Sequence, residues 1–283
     1  MVIVTRILGV VSGKGGVGKT TVSVNLAYAL KSLGQKVVIV DCNLSTPHMT
    51  YYIGTSDYKY TLNDVLLGKV DIISALHNFD GIRHIPASLE LKDILGLDPV
   101  KLKKHLKPLA TSNKVDFIIL DSAPGLGREA MAVLDAADEL LFVTTPFSPM
   151  LNDVIRTRDV LMELKGHKNF KLVLNMVTGE KHELHYKTIA DVVDIPMIGQ
   201  IPFDKSVLHS LVFKSPVVAY RPDSLASISF MQVASSLINK EFKVPMKLKV
   251  HNFFSKVKSM LPGSFSLPTS PEEVKKGIQT QGN

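Results

Sequence analysis

The chain holds a single cysteine, Cys42. One thiol makes neither an intrachain disulfide nor a thiolate metal cage, so no such staple supports the fold, and a reducing, intracellular setting is expected. No apolar run approaches the roughly 20 residues that a membrane-spanning helix requires, and no basic segment leads into a cleavable apolar one at the N-terminus. A soluble chain is expected over most of its length. Carboxylates are missing from one region: from Lys243 to Lys258 there are five lysines and no acidic residue, and the next is Glu272. Much of the formal charge of +7 therefore sits at the C-terminal end, which argues against a uniformly basic DNA-binding face.

What is present is apolar and periodic. With 283 residues and 45% apolar side chains, a sizeable core and one large domain plus a tail are expected. Short β-branched runs (ILGVV, KVVIVD, VDFIILD, ELLFVTT, FKLVLNM, MIGQIP) alternate with helical patterns. Those helices are expected near 20–32, 100–109, 128–137, 152–165, 184–193, 205–213 and 222–240. Such alternation predicts an α/β fold with three α/β/α layers and a mostly parallel sheet. Residues 1–243 read as that domain, 244–262 as a basic amphipathic helix, and 263–283, polar and punctuated by proline, as a disordered tail.

Gly13 to Thr20 reads G-K-G-G-V-G-K-T, a phosphate-binding loop placed between a strand and a helix. Its glycines let backbone N–H groups curl around phosphate oxygens, and the helix start adds positive charge there. Lys19 is expected to reach the β and γ phosphates, and the Thr20 hydroxyl to ligate Mg²⁺. Lys14 is one lysine more than the loop requires. At the second position its side chain leaves the cradle, so it either is solvated or meets a phosphate from outside. Two further strands end in carboxylates, Asp41 and Asp121, where ligands of parallel sheets sit. The stretch NKVD, 113–116, spells a guanine-reading motif but leads into the strand ending at Asp121, far from the pocket, and is set aside as chance.

K-G-G-V-G-K-T-T resembles the deviant Walker A loop of the ParA/MinD superfamily, P-loop NTPases of the SIMIBI class, and the MinD branch most of all. The resemblance covers about residues 5–243 in motif order. It implies ATP and Mg²⁺ as cofactors, bound by Gly13, Lys14, Gly15, Gly16, Val17, Gly18, Lys19, Thr20 and Thr21, with Lys14 reaching across a homodimer to the partner's ATP. Asp41 and Asp121 match carboxylates that hold Mg²⁺ mostly through water. Pro124 and Gly125 match the turn that senses the γ-phosphate. Asn175 and the Pro202-Phe203-Asp204 segment match the adenine-recognising positions. Asn43 departs from the pattern: many relatives carry an aspartate there, near the attacking water. Asparagine positions water but accepts no proton, so slow turnover stimulated by an activating protein is expected.

On a helical wheel Val250, Phe253, Phe254, Val257, Met260 and Leu261 gather on one face, with lysines on the other. The pattern fits an anchor on an anionic membrane surface, or a last helix packed on the domain. The expected function is an ATP-dependent dimerisation and membrane-association switch, cytoplasmic and attached to the inner face of the cell membrane. By family analogy it positions the division site or a surface structure. The rivals are a ParA-type DNA-partitioning ATPase, an ATP-binding scaffold with little hydrolysis, and iron–sulfur carriers, which need the paired cysteines this chain lacks. His48 reads as an ordinary loop residue, and Cys42 as packing.

Overall fold

A computed structural model describes residues 4–54, 57–112, 114–165 and 169–242. In chain order the elements are β1 Arg6–Val11, α1 Lys19–Ser32, β2 Val37–Cys42, α2 Leu62–Leu66, β3 His77–Phe79, β4 Ile82–Ile85, α3 Leu102–Ala110 and β5 Phe117–Ser122. They continue with α4 Arg128–Ala136, β6 Glu139–Thr144, α5 Ser148–Lys165, β7 Asn169–Val177, α6 Tyr186–Val193, β8 Met197–Pro202, α7 Lys205–Val212, α8 Val217–Tyr220 and α9 Leu225–Leu237. The eight strands form one sheet in the order β3-β4-β2-β5-β1-β6-β7-β8, parallel except for β3 against β4.

The central strands are nearly continuous apolar runs because both sheet faces are covered. Successive side chains alternate between them. On β5, Ile118 and Leu120 pack with Leu106 of α3, Val133 of α4 and Val154 of α5. Phe117 and Ile119 enter the opposite core, with Leu26 and Leu30 of α1 and Phe230 and Val233 of α9. The three expected layers are therefore present. Each fully buried aliphatic side chain contributes about 1.5–3 kcal/mol, so these two cores fix the strand ends on which the site is built.

Several elements differ from the expectation. The helix expected from 100 opens as a 3₁₀ turn at Pro99–Lys101 before α3. α5 starts at Ser148, four residues before the expected 152, because the stretch before it turns directly out of β6. β3 and β4 were not anticipated: the short hairpin is joined by Asp80 and Gly81 at φ +48 and +70, the twist a two-residue turn of this kind needs. The basic amphipathic helix expected over 244–262 and the disordered tail expected over 263–283 lie outside the described residues. Among those described, no helix is long and apolar enough to cross a membrane.

Candidate nucleotide site

β1 lies between β5 and β6, and β2 lies beyond β5, so the loops leaving the carboxyl ends of β1, β2 and β5 converge. The loop after β1 is shaped by glycine. Gly16 and Gly18 have φ of +83 and +85, in the left-handed region, and Gly18 caps α1. A Cβ on Gly18 would stand 2.3 Å from Asn175 Nδ2, and one on Gly13 would stand 2.3 Å from the Asp153 Cβ of α5. The loop is braced from both sides. Asn175 Nδ2 donates to the Val17 carbonyl at 2.8 Å, and Gly125 N donates to the Ser12 carbonyl at 3.0 Å.

Gly15, Gly16, Gly18, Lys19, Thr20 and Thr21 line a cleft of about 760 Å³. Gly13, Lys14 and Val17 do not: Gly13 serves the close approach of α5, Val17 is buried in the core, and Lys14 is exposed. Lys19 is buried, which lowers its pKa, while Asp121 and Asp41 oppose that shift. Thr21 Oγ1 meets Tyr52 Oη at 2.7 Å, so one hydroxyl after the cradle is tied to the cleft wall.

Asp41 and Asp121 are register partners on β2 and β5, both wholly buried. Burial and mutual repulsion push the Asp41 carboxyl well above its ordinary range, against backbone N–H groups of Asn43 at 3.1 Å and Met49 at 3.3 Å. Burial raises Asp121 as well, opposed by the Thr20 hydroxyl and Lys19. Ser23 Oγ donates to Asp121 Oδ1 at 2.9 Å, whereas Oδ2 is buried with no hydrogen-bond partner. An orphaned carboxylate oxygen beside a second buried carboxylate and the Thr20 hydroxyl suits a hard divalent cation. No cluster of three or more His, Cys, Asp or Glu side chains able to hold a metal exists among the described residues.

The loop after β2 is held by a residue that no sequence motif marks. Glu129, in the first turn of α4, accepts from Leu44 N at 3.0 Å, Ser45 N at 3.4 Å and the Ser45 hydroxyl. No local motif announces it, since 84 residues separate the partners. Asn43 is engaged at both ends of its amide: Nδ2 donates to the Thr46 carbonyl at 2.5 Å and Oδ1 accepts from Thr46 Oγ1 at 3.1 Å. His48 also lines the cleft, beside Tyr51.

At the far end the cleft is walled by Asn175, Met176, Ile201, Pro202, Phe203, Asp204 and the apolar side chains of Val207, Leu208, Leu211 and Phe230. Both Asp204 oxygens are occupied by backbone N–H groups, from Ser206 at 2.7 Å and Ala226 at 3.2 Å, which hold its pKa low against the effect of burial. Asp204 thus caps α7 and braces α9, whereas Phe203 beside it is half exposed. Asn175 keeps its Oδ1 free of hydrogen bonds among the described residues.

Loop, buried lysine and paired strand-end carboxylates together define the class: this is a P-loop nucleoside triphosphatase. The chain belongs to the ParA family, in its MinD branch, and is an ATP-binding ATPase; residues 3–238 match that family under the description "NUBPL iron-transfer P-loop NTPase". It is 34% identical over 250 residues to an uncharacterized ATP-binding protein of Methanocaldococcus jannaschii, covering 88% of this chain and 94% of that one. It is similar to the cell division ATPase MinD of Pyrococcus furiosus, with a TM-score of 0.78 and 32% identity over 83% of this chain and 98% of the other. The septum site-determining protein MinD of Pyrococcus horikoshii, solved with Mg-ADP, gives 0.77 and 32%, over 82% and 96%. The iron-transfer description finds no second cysteine to work with, and Cys42 is buried.

Proposed function

We propose that this chain is a switch in which ATP joins two copies and the pair attaches to a membrane, with slow hydrolysis releasing it. The observation that carries the reading is Lys14: it is exposed and absent from the walls of its own cleft, while the loop around it lines that cleft. A cation held there is placed to serve a nucleotide bound by another copy. Lys19 and the loop amides bind the phosphates. Asp121, Asp41 and Thr20 hold Mg²⁺, which neutralises phosphate charge. Asn43 orients water without accepting its proton, so an activating partner is expected to raise the rate by rearranging the Asn43–Thr46 contact.

Attachment rests on the sequence pattern of 244–262. Each large apolar side chain contributes at most about 1.5–3 kcal/mol and each lysine about 1 kcal/mol at an anionic surface. Ordering the helix costs about 1–2 kcal/mol per residue, so one copy is marginal. Two linked copies gain about 10²–10⁴-fold in avidity. Sedimentation with anionic vesicles tests this. The full chain pellets with ATP, and neither the ADP form nor a chain ending at residue 243 does; equal pelleting in all three contradicts the proposal. A second reading, an ATP-holding scaffold, is favoured by the doubly bonded Asn43 amide, and zero phosphate release over many hours would select it. The positioned machinery is the division site or a surface structure, the former suggested by the names of the Pyrococcus proteins.

A further inference from the structure

On the opposite edge of the sheet, at the amino ends of the strands, a second crevice of about 490 Å³ is lined by Lys31, Lys36, Arg83 and Lys114. Lys36 and Lys114 are exposed. Among the described residues none of the four makes an ion pair. Arg83 commits only Nη2, to the Lys114 carbonyl at 2.9 Å, and Lys31 Nζ donates to the Asp80 carbonyl. The neighbouring carboxylates are Asp80 and Asp116, and that of Asp116 accepts from the Lys36 backbone N–H at 2.7 Å. Four cations against two acids leave a positive hollow with ammonium and guanidinium groups around it, the chemistry that receives phosphate.

Its position selects the source of that phosphate. Arg83 pairs in register with Val38, Val37 with Phe117, and Phe117 with Arg6. Arg6 Nη1 in turn donates to the Leu237 carbonyl at 2.6 Å, where α9 ends and the chain runs on to the basic amphipathic segment. Arg83 of the crevice and Arg6, which holds the end of α9, therefore stand on one edge, three strands or about 14 Å apart. The described chain thus runs toward the basic segment from the end of the sheet that carries the crevice.

We infer that the Lys31–Lys36–Arg83–Lys114 crevice is a second contact for anionic lipid headgroups, binding their phosphates beside the C-terminal anchor. This rests on the membrane reading of the proposed function. The test is vesicle sedimentation with ATP, on phosphatidylglycerol-containing and pure phosphatidylcholine vesicles, of the full chain and of a Lys36→Glu/Lys114→Glu variant. Neither side chain touches the nucleotide cleft, so ATP turnover without vesicles stays unchanged and reports intact folding. At about five-fold per cation, the equivalent of about 1 kcal/mol, the variant binds anionic vesicles at least ten-fold more weakly. Equal binding of both proteins overturns the inference and leaves the membrane reading standing. If the full chain itself fails to pellet on anionic vesicles, both fall. A variant that keeps vesicle binding but loses ATP-dependent binding to duplex DNA assigns the crevice to nucleic acid and overturns it too.

Discussion

The residues that decide behaviour at this site differ in how they are held. Lys19 is buried between carboxylates and Lys14 is free in solvent, although both come from one eight-residue motif. That motif, with Asp41 and Asp121, was legible in the sequence because local backbone geometry demands glycine and a strand end demands polarity. Glu129 and Tyr52 were not, since each acts across contacts that only the folded chain creates, and Thr46, three residues from Asn43, belongs to no motif that marks it. The Pro202-Phe203-Asp204 segment is expected to meet adenine through its backbone, and the Asp204 carboxylate is occupied by the starts of α7 and α9. Asn43 carries the residue-scale prediction. An Asn43→Asp change removes the N–H donor facing the Thr46 carbonyl, loosens the loop, and supplies a base where the proposed function puts the attacking water. General bases contribute about 10²–10⁴-fold, so basal phosphate release rises about ten-fold or more. An unchanged or lower rate in a multiple-turnover assay would count against the role given to position 43.

At the scale of elements, strands β1, β2, β5 and β6 could be read from the sequence because burial on both faces makes them nearly continuous apolar runs, and β7 and the half-buried edge strand β8 because their apolar runs are bounded by helical patterns. The β3–β4 hairpin escaped: it is short, half polar and at the sheet edge, although Asp80-Gly81 was a usable turn signal. The amino ends of β1, β6 and β7 are joined by Glu139, whose carboxylate accepts from Arg6 at 2.5 and 2.8 Å and from Lys171 at 2.7 Å. Those partners hold its pKa below 4.5 against the effect of burial. A carboxyl with a depressed folded pKa stabilises the fold at pH above 4.5 and loses that contribution as pH falls through the depressed value. Glu139→Gln therefore lowers thermal stability at neutral pH by about 2 kcal/mol, between exposed and buried pairs. The difference shrinks in melts carried below the depressed pKa. A gap that is constant with pH would mean that packing, not charge, ties these strands.

For the whole molecule, the sheet has two working edges. Nucleotide chemistry occupies the carboxyl ends of the strands, and the chain leaves toward its basic segment from the amino ends. The layer order followed from alternation, and the placement of α9 on the same side as α1 followed from neither motif nor period but from the shared core of Leu26, Phe230 and Val233. What joins the account together is a triphosphate shared by two copies, with Lys14 given in trans. Light scattering of the purified chain with a non-hydrolysable ATP analogue tests this most directly, comparing the native protein with Lys14→Ala. The expected result is a mass that doubles with the analogue, stays monomeric with ADP, and stays monomeric for Lys14→Ala although that variant still binds the nucleotide. A Lys14→Ala protein that dimerises as the native one does would contradict it.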